Sequence, residues 1–204
     1  EIRNCDWSSD VCSSDLEVCV HHLWFDDARY KDLGTRIKCN PAIKSSEDRA
    51  ALLKAVHEGR IDIIATDHAP HTVSEKGKSY FKAPAGLPLV QHVMLCLMDM
   101  VRDGKLTYET VVDKTSHAVA DIFGVVDRGY VREGYFADLV LVDPAREYSI
   151  TSGNLLAKCH WSPFEGHTFS ASIDTTIVNG AIAYEEESVS DAIAGQRLDC
   201  NRGR

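Results

Sequence analysis

The sequence predicts an α/β segment followed by a mostly β segment, and three observations carry that reading. Ile61–Ala65, IDIIA, is a short, nearly continuous apolar run that suits a strand buried on both faces. Before it come a strand-like run, a loop and a helix-like run, which together make the start of an α/β arrangement. Near Asp127 the character changes, and Gly, Thr and alternating apolar residues dominate from there.

Each element has a local cause. Glu17–His22, EVCVHH, alternates Val18 and Val20 with other residues and predicts a strand ending in two histidines. Pro41 interrupts any regular element within Thr35–Ile43. Ser45-Ser46-Glu47-Asp48 predicts a helix start, with Ser45 as cap and Asp48 three residues on. Leu52, Leu53 and Val56 then share one helical face, and Gly59 is a natural stop. Leu89, Val90, Val93, Met94, Leu97 and Val101 recur at helical spacing and end before Gly104. Thr107 and Ser116 are candidate caps for two shorter helices, the second stopping at Gly124. Ala137–Val142 reads as a strand closed by Pro144. Ile173–Val178 and Ala181–Tyr184 flank Asn179-Gly180, the strongest two-residue hairpin signal. The expected boundaries are 17–126 for the α/β part, 127–184 for the β part and 185–204 for a solvated tail.

Composition bounds the partners. With 204 residues, 44% hydrophobic and 26% charged, the chain has the globular mix and length of one domain or slightly more. A net charge of -9 argues against nucleic acid as the main partner. No run approaches the length of a membrane-spanning helix, so no membrane partner is expected. Seven cysteines, an odd number without close repeated pairs or a signal-like opening, predict reduced thiols in a cytoplasm. Residues 1–16 stand apart. They repeat Ser-Ser-Asp without hydrophobic period, and Cys5–Leu16, CDWSSDVCSSDL, resembles the translation of a short-read sequencing adapter. That run is expected to be an artefact joined to a gene fragment.

Thr66-Asp67-His68-Ala69-Pro70-His71 is the densest site candidate. In parallel α/β proteins functional residues collect at the C-terminal ends of strands. A carboxylate there, flanked by histidines, can bind a metal, accept a proton or do both; equally, it can simply cap the next turn. His68 is either a partner of Asp67 or a packing residue. His57 is expected near a helix C-terminus, His92 on a polar helix side and His117 in a first turn. Cys159 and His160 lack a second pair at ligand spacing, and Cys19, Cys39 and Cys96 read as core thiols.

Six motifs occur in a consistent order: NPAIK at Asn40–Lys44, ATDHAPH at Ala65–His71, KAPAG at Lys82–Gly86, GYVREGYFADLVLVD at Gly129–Asp143, WSPFEG at Trp161–Gly166 and TIVNGAIAY at Thr176–Tyr184. By these the chain resembles the C-terminal half of the dihydroorotases, within the amidohydrolase superfamily. The resemblance implies a TIM-barrel metal-dependent hydrolase whose last two strands and helices lie here, plus strands of a small β-sandwich domain. It implies the reversible cyclisation of N-carbamoyl-L-aspartate to dihydroorotate in pyrimidine biosynthesis, with one or two zinc ions. On it, Asp67 is both metal ligand and proton shuttle, Asn40 and His71 hold the substrate, and the Ala85-Gly86 backbone assists. A small-molecule substrate and a homodimer at full length also follow from it.

Two departures stand out. Ala42 replaces the second proline of the family's NPPLR, and the family's other metal ligands would lie upstream of Glu17. His21-His22 is no substitute if both are on a strand, since neighbours there point to opposite faces; by family analogy the pair packs. The competing readings are an allantoinase or hydantoinase, and a non-catalytic amidohydrolase-like scaffold.

Overall fold

Two parallel strands, β1 (Glu17–Cys19) and β2 (Ile63–Ala65), open the computed structural model, which describes residues 15–192 and 195–201. Between them run α1 (Val20–Trp24), α2 (Tyr30–Leu33) and α3 (Ser46–His57). The strand expected through His22 stops at Cys19, three residues long like its partner. Beyond Ala65 the partner chain turns away at Asp67, with φ +46°, so no ladder remains to continue. The EVCVHH run instead folds into α1 and buries Val20, His21 and Leu23, lying against α3 and α5 (Val93–Arg102).

Capping fixes the helix starts. Ser45 Oγ accepts from Asp48 N at 3.3 Å while Ser45 N donates to the Asp48 carboxylate, also at 3.3 Å, so α3 begins where the sequence predicts. Thr72 and Glu75 repeat this at α4 (Val73–Lys76). α5 starts later than Leu89, because the Leu89 and Val90 N–H groups are taken by His68. Leu95 through Met100 are all buried. His92, expected on a polar side, is a correction. It sits just before α5, buried against Phe164 and Phe169, and burial lowers its pKa to about 4. Thr107 caps α6 (Tyr108–Val112), but Ser116 caps nothing. It lies in a π-helical turn, Asp113–His117, that runs on into α7 (Ala118–Phe123), and Gly124 ends the run in the left-handed region.

The remaining strands are β3 (Leu139–Asp143), β4 (Tyr148–Ser149), β5 (Thr168–Phe169), β6 (Ser172–Val178), β7 (Ala181–Glu185) and β8 (Ser188–Val189). β3-β6-β7-β8 form an antiparallel sheet, and β4-β5 a two-stranded one. Asn179 and Gly180 both have positive φ, +51° and +80°, which is the turn that their identities predict between β6 and β7. The 185–204 stretch supplies β8, and further on Val126 N donates to Asp199 O and Asn201 N to Gly124 O.

The core joins distant segments. Leu87, Leu89, Leu95, Leu97 and Ile37 are wholly buried with Ile150, Phe164 and Phe169 of the 150–171 stretch. Trp24 meets Phe164 and His167 edge-on, and Phe25 stacks on Phe164. Trp161, three residues before Phe164, is buried as well.

Candidate active site at the ends of the parallel strands

Because β1 and β2 are parallel, their exits lie at one end, and the sequence-predicted site residues gather on three segments there. The first leaves β2. Asp67 is exposed and held at φ +46°, a left-handed conformation that Asp tolerates better than most residues. Its charge reaches β1 and the 39–40 loop, since it contributes to raising the thiol pKa of both Cys19 and Cys39, after the larger effect of burial.

His68 does not serve Asp67. Its Nδ1 accepts from Leu89 N at 3.0 Å and Val90 N at 3.1 Å, so the ring anchors the turn before α5. His71 points elsewhere: Nε2 lies 3.0 Å from Ala85 O. A carbonyl only accepts, so Nε2 carries the proton and Nδ1 is left with the lone pair. The second segment, Ala83–Leu87, is pressed onto the first. A Cβ on Gly86 would come 2.5 Å from Ala69 Cβ and 2.8 Å from Ala69 O, and its φ is +136°. Only glycine fits this approach. The third segment carries Asn40, exposed and joined to Pro41 by a cis peptide. It is tied in by Gly86 N donating to Lys38 O at 2.9 Å.

Four residues that the sequence did not assign to the site hold this assembly. Lys76 is buried, and its Nζ donates to the carbonyls of Lys38, Pro84 and Gly86 at 3.1, 3.0 and 2.9 Å. Burial lowers its pKa to about 8, and it stays cationic at neutral pH. Lys38 Nζ donates to Tyr80 O and Ala83 O, both at 2.6 Å. The Trp161 indole N–H donates to His71 O at 2.7 Å. His22 Nε2 lies 2.8 Å from Pro41 O, bracing the loop after Asn40. Trp161 lay within a recognised motif, but nothing in VSEK signals that its lysine is buried.

A strand-end carboxylate, a braced histidine and a close-packed backbone loop stand where parallel α/β proteins place their functional residues. The model of the amidohydrolase family matches residues 9–183, and the chain belongs to that family. The match begins inside the opening run set aside above, of which residues 1–14 lie outside the described residues. The chain is 40% identical over 176 residues to a dihydroorotase of Halobacterium salinarum, covering 85% of this chain and 41% of that protein. It is 34% identical over 183 residues to a dihydroorotase of Pyrococcus furiosus, covering 90% and 42%. Among solved structures it superposes on an L-hydantoinase from Arthrobacter aurescens with TM-score 0.84 and 23% identity, covering 90% of this chain and 42% of that one. A D-hydantoinase from Thermus sp. gives 0.80 and 22%, covering 86% and 40%. The chain thus spans about two fifths of the length of these relatives. Family and fold together make the chain a fragment of a TIM-barrel hydrolase.

Family membership implies a metal cofactor. The described residues around Asp67 do not fit a complete ion site. Zinc takes three or four ligands, Asp67 offers one, and no three ligand atoms that include Asp67 converge among the described residues. Among the described residues one group of His and Cys does converge, elsewhere: the ligand atoms of Cys19, His21 and His22 lie within 4.8 Å of one another. This corrects the expectation that His21 and His22 diverge. The opposite-face rule holds on a strand, and these residues turn from β1 into α1. No helix among the described residues is long and apolar enough to cross a membrane.

Proposed function

We propose that this chain carries the proton-transferring carboxylate and part of the substrate cradle of a dihydroorotase, within a longer polypeptide. The observation that carries the reading is the bracing of His71 on Ala85 and the close packing of Gly86 on Ala69, in the segment that leaves β2 through Asp67. The dihydroorotase relatives support it at 32–40% identity. The reaction is the reversible hydrolysis of a cyclic amide, dihydroorotate, to N-carbamoyl-L-aspartate. Water must lose a proton as it attacks the amide carbonyl, and the departing nitrogen must gain one. One carboxylate performs both transfers in turn, and Asp67, exposed at the strand end, is that group. The substrate is anionic. Asn40 offers an amide donor to its carboxylates, and His71, whose Nε2 proton is fixed on Ala85 O, presents the Nδ1 lone pair to a substrate N–H. Gly86 lets backbone approach the ligand without a Cβ in the way.

Zinc would supply the activated water in the longer polypeptide, with Asp67 as one ligand. That polypeptide is proposed to work in the cytoplasm, as a homodimer, on small molecules alone. A hydantoinase is the second reading, since the solved structures named above carry that activity in their titles; at 22–23% identity they speak for the fold alone.

The test is to purify the longer polypeptide and assay dihydroorotate, hydantoin and allantoin side by side. Dihydroorotate should be turned over in both directions and preferred. Asp67→Asn should lower turnover about 10²–10⁴-fold while leaving the fold intact. Preference for hydantoin, or near-normal turnover by Asp67→Asn, would overturn the reading.

A further inference from the structure

We infer that Cys19, His21 and His22 form a binding site for one thiophilic divalent cation, zinc as the reference ion, built without Asp67. The turn from β1 into α1 creates it. Cys19 is the N-cap of α1 and His22 stands three residues on, the spacing at which a cap side chain and the first turn reach each other. His21 lies between them, its ring centroid 4.2 Å from that of His22 and tilted by 42°. The three ligand atoms thereby fall within 4.8 Å of one another.

Each residue has a ligand atom to give. His21 is wholly buried, and neither ring nitrogen has a hydrogen-bond partner. Buried polar atoms without partners are rare and ask for an explanation, which a cation supplies. On His22, Nε2 donates to Pro41 O, so the lone pair is on Nδ1. A ring nitrogen tied to a carbonyl is the usual way a metal-binding histidine is oriented. The Cys19 thiol makes one long contact, 3.8 Å to Glu17 Oε1. The surroundings admit an ion: Cys19 and His22 line a cavity of about 500 Å³ together with Glu17, Pro41 and Arg60.

One thiolate and two neutral imidazoles suit zinc, and solvent would complete four-coordination. A free cysteine thiol carries its proton at neutral pH. Binding therefore forms a metal–sulfur bond as the S–H proton leaves to bulk water. The Glu17 carboxylate, 3.8 Å from the sulfur, favours the cation that replaces the thiol proton.

The test uses the 204-residue chain and cobalt(II) as a spectroscopic stand-in for zinc. One cobalt per chain is expected, with a thiolate-to-cobalt charge-transfer band in the near ultraviolet, one proton released and displacement by zinc. Cys19→Ser should abolish the band. His22→Gln, at a half-buried position, should weaken binding at least about tenfold and supplies the readout if Cys19→Ser does not fold. Asp67→Asn and Cys39→Ser should keep the band; Cys39 is the informative control because its sulfur lies 3.7 Å from His22 Nε2. Absence of a thiolate band in the unaltered chain would overturn the inference. So would a band that survives Cys19→Ser, or one that depends on Asp67 or Cys39.

Discussion

The α/β region and the four-stranded sheet are both regular, yet they are held by different forces. In the first, β1 and β2 are only three residues long, but the segments around them supply wholly buried side chains, Val20, Ile37, Leu87, Leu89 and Leu97 among them. In the second, β3, β6, β7 and β8 pair along most of their length, yet only Ser172 and Thr175 of these strands are buried. Apolar side chains face solvent there: Leu141 is 46% exposed and Ile182 49%. Hydrogen bonds and turn chemistry specify the sheet; burial specifies the α/β part. The segments that carry the site are anchored in the first region, where small shape changes are felt most.

The largest expected effect tests that directly. Gly86→Ala places a methyl against Ala69 at a left-handed backbone, where nothing nearby is a flexible side-chain end that can yield easily. It should cost about 3–4 kcal/mol, and chemical denaturation would show it as a fall in midpoint. A loss under 1 kcal/mol would mean that the 69–86 contact is loose. Lys76→Met comes next. It leaves the carbonyls of Lys38, Pro84 and Gly86 without their shared donor, a loss of about 2–3 kcal/mol. Hydrogen exchange should quicken at Gly86 N, whose acceptor is Lys38 O, while the β6–β7 ladder keeps its protection.

Acid sharpens the contrast. His21 and His92 are buried, and burial lowers their pKa values from 6.5 to about 3 and about 4. An unfolded chain binds protons at both below pH 6.5 while the folded chain does not. Their contribution is therefore complete above that pH and is lost progressively as pH falls toward 4 and then 3. Between pH 7 and 5.5 the two together should remove about 2 kcal/mol. Thermal unfolding across that range would measure it, and His92→Phe, among Phe164 and Phe169, should roughly halve the slope. The four-stranded sheet contains no histidine and should show no such acid dependence of its own.

What was legible in the sequence follows the same division. Local chemistry was readable wherever it decided the outcome: Ser45 with Asp48, Thr107, Asn179-Gly180 and the Gly124 stop all act as their identities predict. The family resemblance was readable because its motifs survive as contiguous words, and the family match bears it out. Readings that depended on tertiary partners failed. EVCVHH alternates like a strand, but its would-be neighbour bends away at Asp67 and helix packing wins. His92 reads as polar until Phe164 and Phe169, far along the chain, close over it. Lys76 carries no sign that three carbonyls from two other segments converge on it. The Cys19–His21–His22 convergence was missed for the first of these reasons, since a wrong element assignment sent two side chains to opposite faces.

The smallest expected effect comes from the other region and closes the comparison. Gly180 sits at φ +80°, as left-handed as a turn requires, but no atom lies within 4 Å of where a Cβ would stand. Gly180→Ala therefore meets conformational strain without any clash, about 1 kcal/mol. The contrast with Gly86 isolates packing from backbone preference, since both residues have positive φ and only one is crowded. If hydrogen bonding and turn chemistry hold the sheet, the loss should be local, with faster amide exchange along β6 and β7 and unchanged exchange at Gly86. Asn should restore most of the loss at position 180, because it tolerates the left-handed region, whereas Asn at position 86 should not. A Gly180→Ala penalty as large as that at Gly86, spreading into the core, would show that the sheet is packed into the α/β region more tightly than its exposed apolar faces imply.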